Sequence, residues 1–147
     1  MSNKEFYRMD RIGRMEHEEL TGKILECCFE VSKELGAGFL ESVYEKALIV
    51  ALCQKGLSVS AQVPIKVKFR GVIVGDFFAD LVISETVLVE IKAMSRILPE
   101  HKAQVINYLN ATGIGVGLLV NFGTSRIEYF RLRPSNSSDP VDLVHPV

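Results

Sequence analysis

Asp80, Glu90 and Lys92 are the residues of this chain whose types and spacing could do chemistry, and they fall in the stretch Asp76 to Lys92, DFFADLVISETVLVEIK. Two carboxylates offer hard oxygen ligands to a divalent cation. An ammonium two residues beyond the second could hold an attacking water or stabilise charge on a phosphate. That is the equipment of metal-assisted phosphodiester hydrolysis. The plainer alternative is a solvated ion-pair patch, since surface pairs are common and contribute little.

The elements that must position these groups are two strands joined at Ser84, Glu85 and Thr86. Successive strand side chains alternate faces. Phe77, Ala79, Leu81, Ile83, Val87, Val89 and Ile91 therefore share one face, all apolar, and Asp76, Phe78, Asp80, Val82, Leu88, Glu90 and Lys92 share the other. A two-residue turn at Ser84-Glu85 with Ile83 opposite Thr86 would leave Asp80 facing Val89. A turn centred on Glu85, with Ile83 opposite Val87, sets Asp80 opposite Glu90 and keeps both apolar rows on the core side, and this is the register we expect. Facing carboxylates destabilise a ladder; at roughly 4 Å and an effective dielectric near 20 the repulsion is about 4 kcal/mol before screening. Lys92, a shared proton or a divalent cation must offset it.

The 147 residues suit one domain with a proper core, and a composition of 48% hydrophobic and 24% charged residues is that of a globular chain. A net charge of -1 excludes an overall basic field, so any nucleic-acid binding must rest on a local patch. The three cysteines, Cys27, Cys28 and Cys53, have neither CxxC spacing nor a partnering histidine pattern, and Cys27 and Cys28 read as small buried hydrophobes. No run approaches a membrane span and no secretory leader is evident, so a cytoplasmic, reducing location is expected.

Residues 1–15 read as a polar lead-in. From Glu16 to Leu35, Leu20, Ile24, Cys28, Val31 and Leu35 recur at helical spacing, and Gly36-Ala37-Gly38 ends that helix. A second helix is expected from Leu40 to Lys55, burying Val43, Ala47, Leu48, Val50 and Ala51, with Glu41 in its first turn and Tyr44 one turn on. Glu41 could be simply a good first-turn residue and Tyr44 a packing residue. Strands follow over Leu57–Val63 and Pro64–Phe69. In the second, Lys66, Lys68 and Arg70 face one way, a row able to track a phosphate backbone or merely the wet face of a sheet. Pro99 opens a helix running to Thr112, on which His101, Gln104 and Tyr108 line one face. Val116–Val120 reads as a strand buried on both faces, Ile127–Leu132 as an outer strand, and 134–147 as a flexible tail rich in Pro and Ser. The GIGVG at Gly113–Gly117 precedes a strand, so it is not a dinucleotide fingerprint.

The order of helix, helix, strands with D...ExK, helix with QxxxY, strand and strand resembles the PD-(D/E)XK nuclease superfamily, in particular its RecB-like branch. The matching residues are Asp80, Glu90, Lys92, Gln104 and Tyr108, with Glu41 upstream. Gly38-Phe39-Leu40-Glu41-Ser42-Val43-Tyr44 further resembles the signature of the small GxxExxY family grouped with it. The resemblance runs from Leu20 to Arg133 and implies an α/β, restriction-endonuclease-like core over 16–133, a central mixed sheet flanked by helices. It implies Asp80 and Glu90 as ligands of Mg2+ or Mn2+, helped by Glu41, with Lys92 catalytic and Gln104 and Tyr108 bordering the site. Tyr44, Lys66, Lys68 and Arg70 are then candidates for substrate contact. The proline that names the superfamily is replaced by Ala79, a position that supplies no ligand.

The leading expectation is a metal-dependent nuclease acting on DNA or RNA. The alternative is an inactive nuclease-fold module that binds nucleic acid or a protein partner. A third reading is a homo-oligomer built on the apolar strand around Ile127.

Overall fold

The hairpin register decides where the acidic side chains stand, and in the computed structural model Ile83 pairs with Val87, Val82 with Leu88 and Leu81 with Val89. Ser84 and Glu85 both take positive φ, 51° and 60°, and Thr86 N–H bonds to Ile83 O at 3.0 Å. Two positive-φ residues are the geometry of a type I′ turn, whose twist matches that of the strands. Thr86 is left over as an extra residue, which restores Ile83 opposite Val87 and so the expected register.

The structure describes the backbone of residues 3–135 and the side chains of 17–135. Its elements are α1 (Asn3–Leu35), α2 (Glu41–Gln54), β1 (Val59–Phe69), β2 (Val72–Ile83), β3 (Val87–Lys92), α3 (Pro99–Thr112), β4 (Val116–Asn121) and β5 (Glu128–Leu132). The helix of α1 begins at Asn3, well before the expected Glu16. The stretch of 3–15 carries no proline and many good helix formers, so nothing in it stops a helix from running back. The expected tail at 134–147 lies, from 136 onward, outside the described residues.

The five strands form one mixed sheet in the order β1-β2-β3-β4-β5. The β3–β4 pair is parallel and the others antiparallel, with α3 as the crossover a parallel pair requires. On one face, Leu81, Ile83, Val87, Val89 and Ile91 pack with Ile24, Cys28 and Val31 of α1 and Tyr44, Leu48 and Leu52 of α2. On the other, Val82, Leu88 and Leu119 pack with Val105 and Leu109 of α3. This is the restriction-endonuclease-like arrangement, a central mixed sheet flanked by helices. β4 is buried along its whole length, as its unbroken apolar run requires.

Several local expectations are corrected. β1 is one continuous strand through Pro64, because it lies at the sheet edge, where a missing N–H costs no ladder bond. The buried stripe of α2 is Tyr44, Leu48 and Leu52, and Val43 and Val50 are exposed, because Tyr44 rather than Val43 sets the phase of the inward face. Cys27 and Cys28 are buried, as their reading as small hydrophobes requires, and desolvation pushes both thiols up; Cys53 is exposed. Ile127 is partly buried and packs against the main core.

The expected alternation of β2 also breaks. Ala79 belongs to the α3 face together with Val82, not with Leu81 and Ile83, and the Phe77 ring lies 5.7 Å from that of Tyr108 on α3. The break falls at Asp80 and Gln62: Ala61–Leu81 and Val63–Ala79 are paired on either side, and Gln62 sits at φ 51° between them. Both strands turn over at that point. Beyond it β3 no longer accompanies β2, and β1 and β2 continue as a two-stranded ribbon with Phe69, Val72, Ile73, Val74 and Phe78 exposed.

Candidate active site

The two carboxylates stand at the fork where β2 leaves β3. Asp80 N–H donates to Glu90 Oε1 at 2.9 Å, and Ile91 N–H donates to Asp80 Oδ2 at 2.8 Å. Side-chain oxygens thus take the place of the next ladder bonds, and each carboxylate is clasped by the opposite strand. One oxygen of each is anchored. Asp80 Oδ1 receives only a long bond, 3.4 Å, from Gln62 Nε2, which bonds more closely to Glu45 Oε1 at 3.0 Å.

Glu90 is 5% exposed. Burial, and then the neighbouring Asp80 charge, push its carboxyl up to about 8, against the lowering effects of the Asp80 N–H and of Lys92; Glu41 adds a further raising contribution. Burial also raises the Tyr108 hydroxyl, followed by Glu90 and Asp80. These mutual effects bring together Asp80, Glu90, Lys92, Glu41 and Tyr108, five of the residues singled out from sequence. Glu41 begins α2 and is exposed; with Asp80 it lines a shallow cavity of about 520 Å³.

Gln104 and Tyr108 line a larger groove of about 1360 Å³ between α3 and the β1–β2 ribbon, and Lys66 and Lys68 line it as well. Lys66 is ion-paired with Asp76 across the ribbon. Arg70 does not continue the row: it occupies the ribbon turn at φ 51°, and its guanidinium sits 4.9 Å above the Phe69 ring. A bulge at Val67/Lys68 and the turn itself remove the strict alternation on which the row depended. Tyr44 is fully buried and offers no surface to a substrate. Its hydroxyl donates to Gly36 O at 2.6 Å and accepts from Phe39 N–H at 3.2 Å, and its ring stacks on Phe122 at 4.8 Å. It therefore holds the Gly36–Phe39 loop, where Gly36 and Gly38 take the positive φ of 71° and 116° that glycine adopts without strain. That loop delivers Glu41. His101 Nδ1 accepts the Leu98 N–H at 2.9 Å and caps α3.

Sequence reasoning missed the clamp that follows Lys92. Asn121 is buried on β4; its Oδ1 accepts the N–H groups of Met94 and Gly123, and its Nδ2 donates to Met94 O and Glu128 Oε2. Ile97 N–H donates to the same Glu128 oxygen at 3.1 Å, and Phe122 N–H to Lys92 O at 2.8 Å. A Cβ on Gly123 would lie 2.3 Å from the Met94 backbone, so only glycine allows this approach. The Asn-Phe-Gly run leaving a buried strand is the signal that could have drawn attention to it. Gln62 carried no such signal, because nothing in a glutamine announces positive φ.

The family model of the PD-(D/E)XK nuclease superfamily matches residues 18–132. This chain belongs to that superfamily. A solved structure titled "Crystal structure of SSO0001" is similar to it at 20% identity and a TM-score of 0.47, over 63% of this chain and 49% of that one, so the chain spans about half that structure's length. No curated protein matches. Members of the superfamily generally use divalent metal ions. The donor chemistry here fits one: two hard carboxylates, one of them buried and driven toward protonation by that burial and by the charge of the other. Among the described residues no three acidic, histidine or cysteine side chains converge on one point. Water and substrate oxygens would complete the shell, as is usual for Mg2+, which keeps several waters and takes one or two carboxylates.

Proposed function

We propose that this protein is a metal-dependent nuclease that hydrolyses phosphodiester bonds of nucleic acid, with Asp80 and Glu90 as ligands of Mg2+ or Mn2+. The observation that carries the proposal is the reciprocal clasp of Asp80 and Glu90 at the strand fork, which sets a buried carboxylate against a half-buried one, a repulsion that a divalent cation or a proton offsets. A bound divalent ion would polarise the scissile phosphate and lower the pKa of a bound water. Glu41, on the rim of the Asp80 cavity, would help hold the ion, directly or through water. Lys92, on the same strand face as Glu90, holds the attacking water or stabilises phosphate charge. Tyr108 and Gln104 position the substrate phosphate from α3, and Lys66 and Lys68 hold flanking phosphates.

The GxxExxY signature is supported in the same terms. Tyr44 secures the loop that Gly36 and Gly38 shape, and Glu41 leaves that loop toward the carboxylates. No described helix is long and apolar enough to cross a membrane, and a cytoplasmic location belongs to the same reading.

The test is calorimetric titration of Mn2+ and Mg2+, together with Mn2+-dependent cleavage of DNA and RNA, on wild type and Asp80→Ala, with folding checked by circular dichroism. Cleavage that Asp80→Ala abolishes supports the proposal. A wild type that neither binds Mn2+ in the presence of oligonucleotide nor cuts any nucleic acid overturns it and leaves an inactive nuclease-fold module.

A further inference from the structure

Phe77 was expected in the core, yet it is 42% exposed and stands on the wall of the groove that Gln104 and Tyr108 also line, Tyr108 being close enough to the candidate active site to feel the charges of Glu90 and Asp80. The opposite wall is α3, and the Phe77 ring meets that of Tyr108 at 5.7 Å with a tilt of 42°. Asn107 and Asn110 also line the groove. Its charges nearly cancel: Lys66 and Lys68 are matched by Glu85 and Glu100, and Lys66 is already paired with Asp76. Duplex DNA is bound chiefly through phosphates, and its affinity grows with each cation supplied. Single strands are held differently, by stacking of unpaired bases on aromatic faces assisted by a few cations.

We infer that this groove takes a single-stranded nucleic acid, with an unpaired base stacked on Phe77 beside Tyr108 and the backbone passing Lys68 toward Asp80 and Glu90. The inference deepens the nuclease reading of the same site and rests on it for the direction of the strand. A paired base has both faces covered by its neighbours and cannot present one to Phe77. Phe77 is thereby a specificity residue of the site, selecting unpaired over paired substrate.

The experiment is fluorescence anisotropy of labelled 20-mers of oligo(dT) and oligo(rU), and of a 20-base-pair duplex, without divalent cation so that nothing is cut. Single strands should bind at least roughly 10-fold more tightly than duplex, with a shallow salt dependence because few cations take part. Phe77→Leu, which keeps an apolar side chain, should weaken single-strand binding roughly 5- to 100-fold, and Phe77→Trp should preserve it. Equal or tighter binding of duplex, or no effect of Phe77→Leu, overturns the inference; the oligo(dT) and oligo(rU) arms tell DNA from RNA. The nuclease reading fails separately: Mn2+-dependent cleavage of duplex without single-strand preference sinks this inference alone. Single-strand binding in a protein that binds no Mn2+ sinks the nuclease reading and leaves the groove.

Discussion

Glu90→Gln should make the metal-free protein more stable near neutral pH, and the size of the effect follows from where Glu90 stands. Its carboxyl titrates near 4.5 in the unfolded chain and is pushed up to about 8 in the fold by burial and by Asp80. The folded state therefore binds the proton more tightly than the unfolded state. Stability from this group is fully present below pH 4.5 and is lost as pH rises toward 8. At 1.36 kcal/mol per pKa unit the loss approaches about 5 kcal/mol at its ceiling and is about 3 kcal/mol at pH 7. For a domain of this size that corresponds to roughly 10 °C in Tm. Glutamine retains an oxygen to accept the Asp80 N–H that Glu90 Oε1 now takes at 2.9 Å, so the substitution removes the charge and keeps the clasp. Thermal unfolding followed by circular dichroism in EDTA, from pH 5 to 8.5, should show wild-type Tm falling with pH and Glu90→Gln nearly level. Added Mg2+ or Mn2+ should raise the wild type selectively. A variant less stable than wild type at pH 7–8, or one that keeps the same pH slope, would refute the argument that an uncompensated buried carboxylate sits at this fork.

Four further outcomes follow from the same geometry. Lys92→Met should leave Mn2+ affinity within about threefold and reduce cleavage by roughly 10²- to 10³-fold, the order seen when one charge-stabilising group is removed from an active site, as calorimetry paired with a nuclease assay would show. Tyr44→Phe keeps the ring stacked on Phe122 but loses both hydroxyl bonds, leaving Gly36 O and Phe39 N–H to find other partners; urea unfolding should report a loss of about 1–3 kcal/mol. Asn121→Ala strands the Met94 N–H and C=O, and chemical denaturation should show a loss of about 3 kcal/mol or more, whereas Lys68→Ala, at an exposed site, should change stability by less than about 0.5 kcal/mol.

The local grammar of the chain was legible in its residues. Gly36 and Gly113 end helices, Pro99 opens one, Val116–Val120 is a fully buried strand, and the two apolar rows around Ser84–Thr86 admit a register that sets Asp80 against Glu90. Periodicity suffices for such features because each depends on neighbours within a turn or a hairpin. The carboxylate pair and Lys92 were therefore visible before any fold was known.

What tertiary structure decided lies where strands and helices from distant parts of the chain meet. The overturn at Gln62 and Asp80 depends on β1 and β2 twisting together where β3 departs, and it carries Ala79 and Phe77 to the α3 side against simple alternation. Tyr44 could be placed in the core only once Phe122 and the Gly36–Phe39 loop were around it. The perturbed carboxyl of Glu90 is likewise a property of enclosure, since its type and its neighbours in sequence say nothing about how much water is left to it. Sequence spacing sets which side chains can share a face; packing of the layers sets which of them are dry, and the chemistry of this site depends on that dryness.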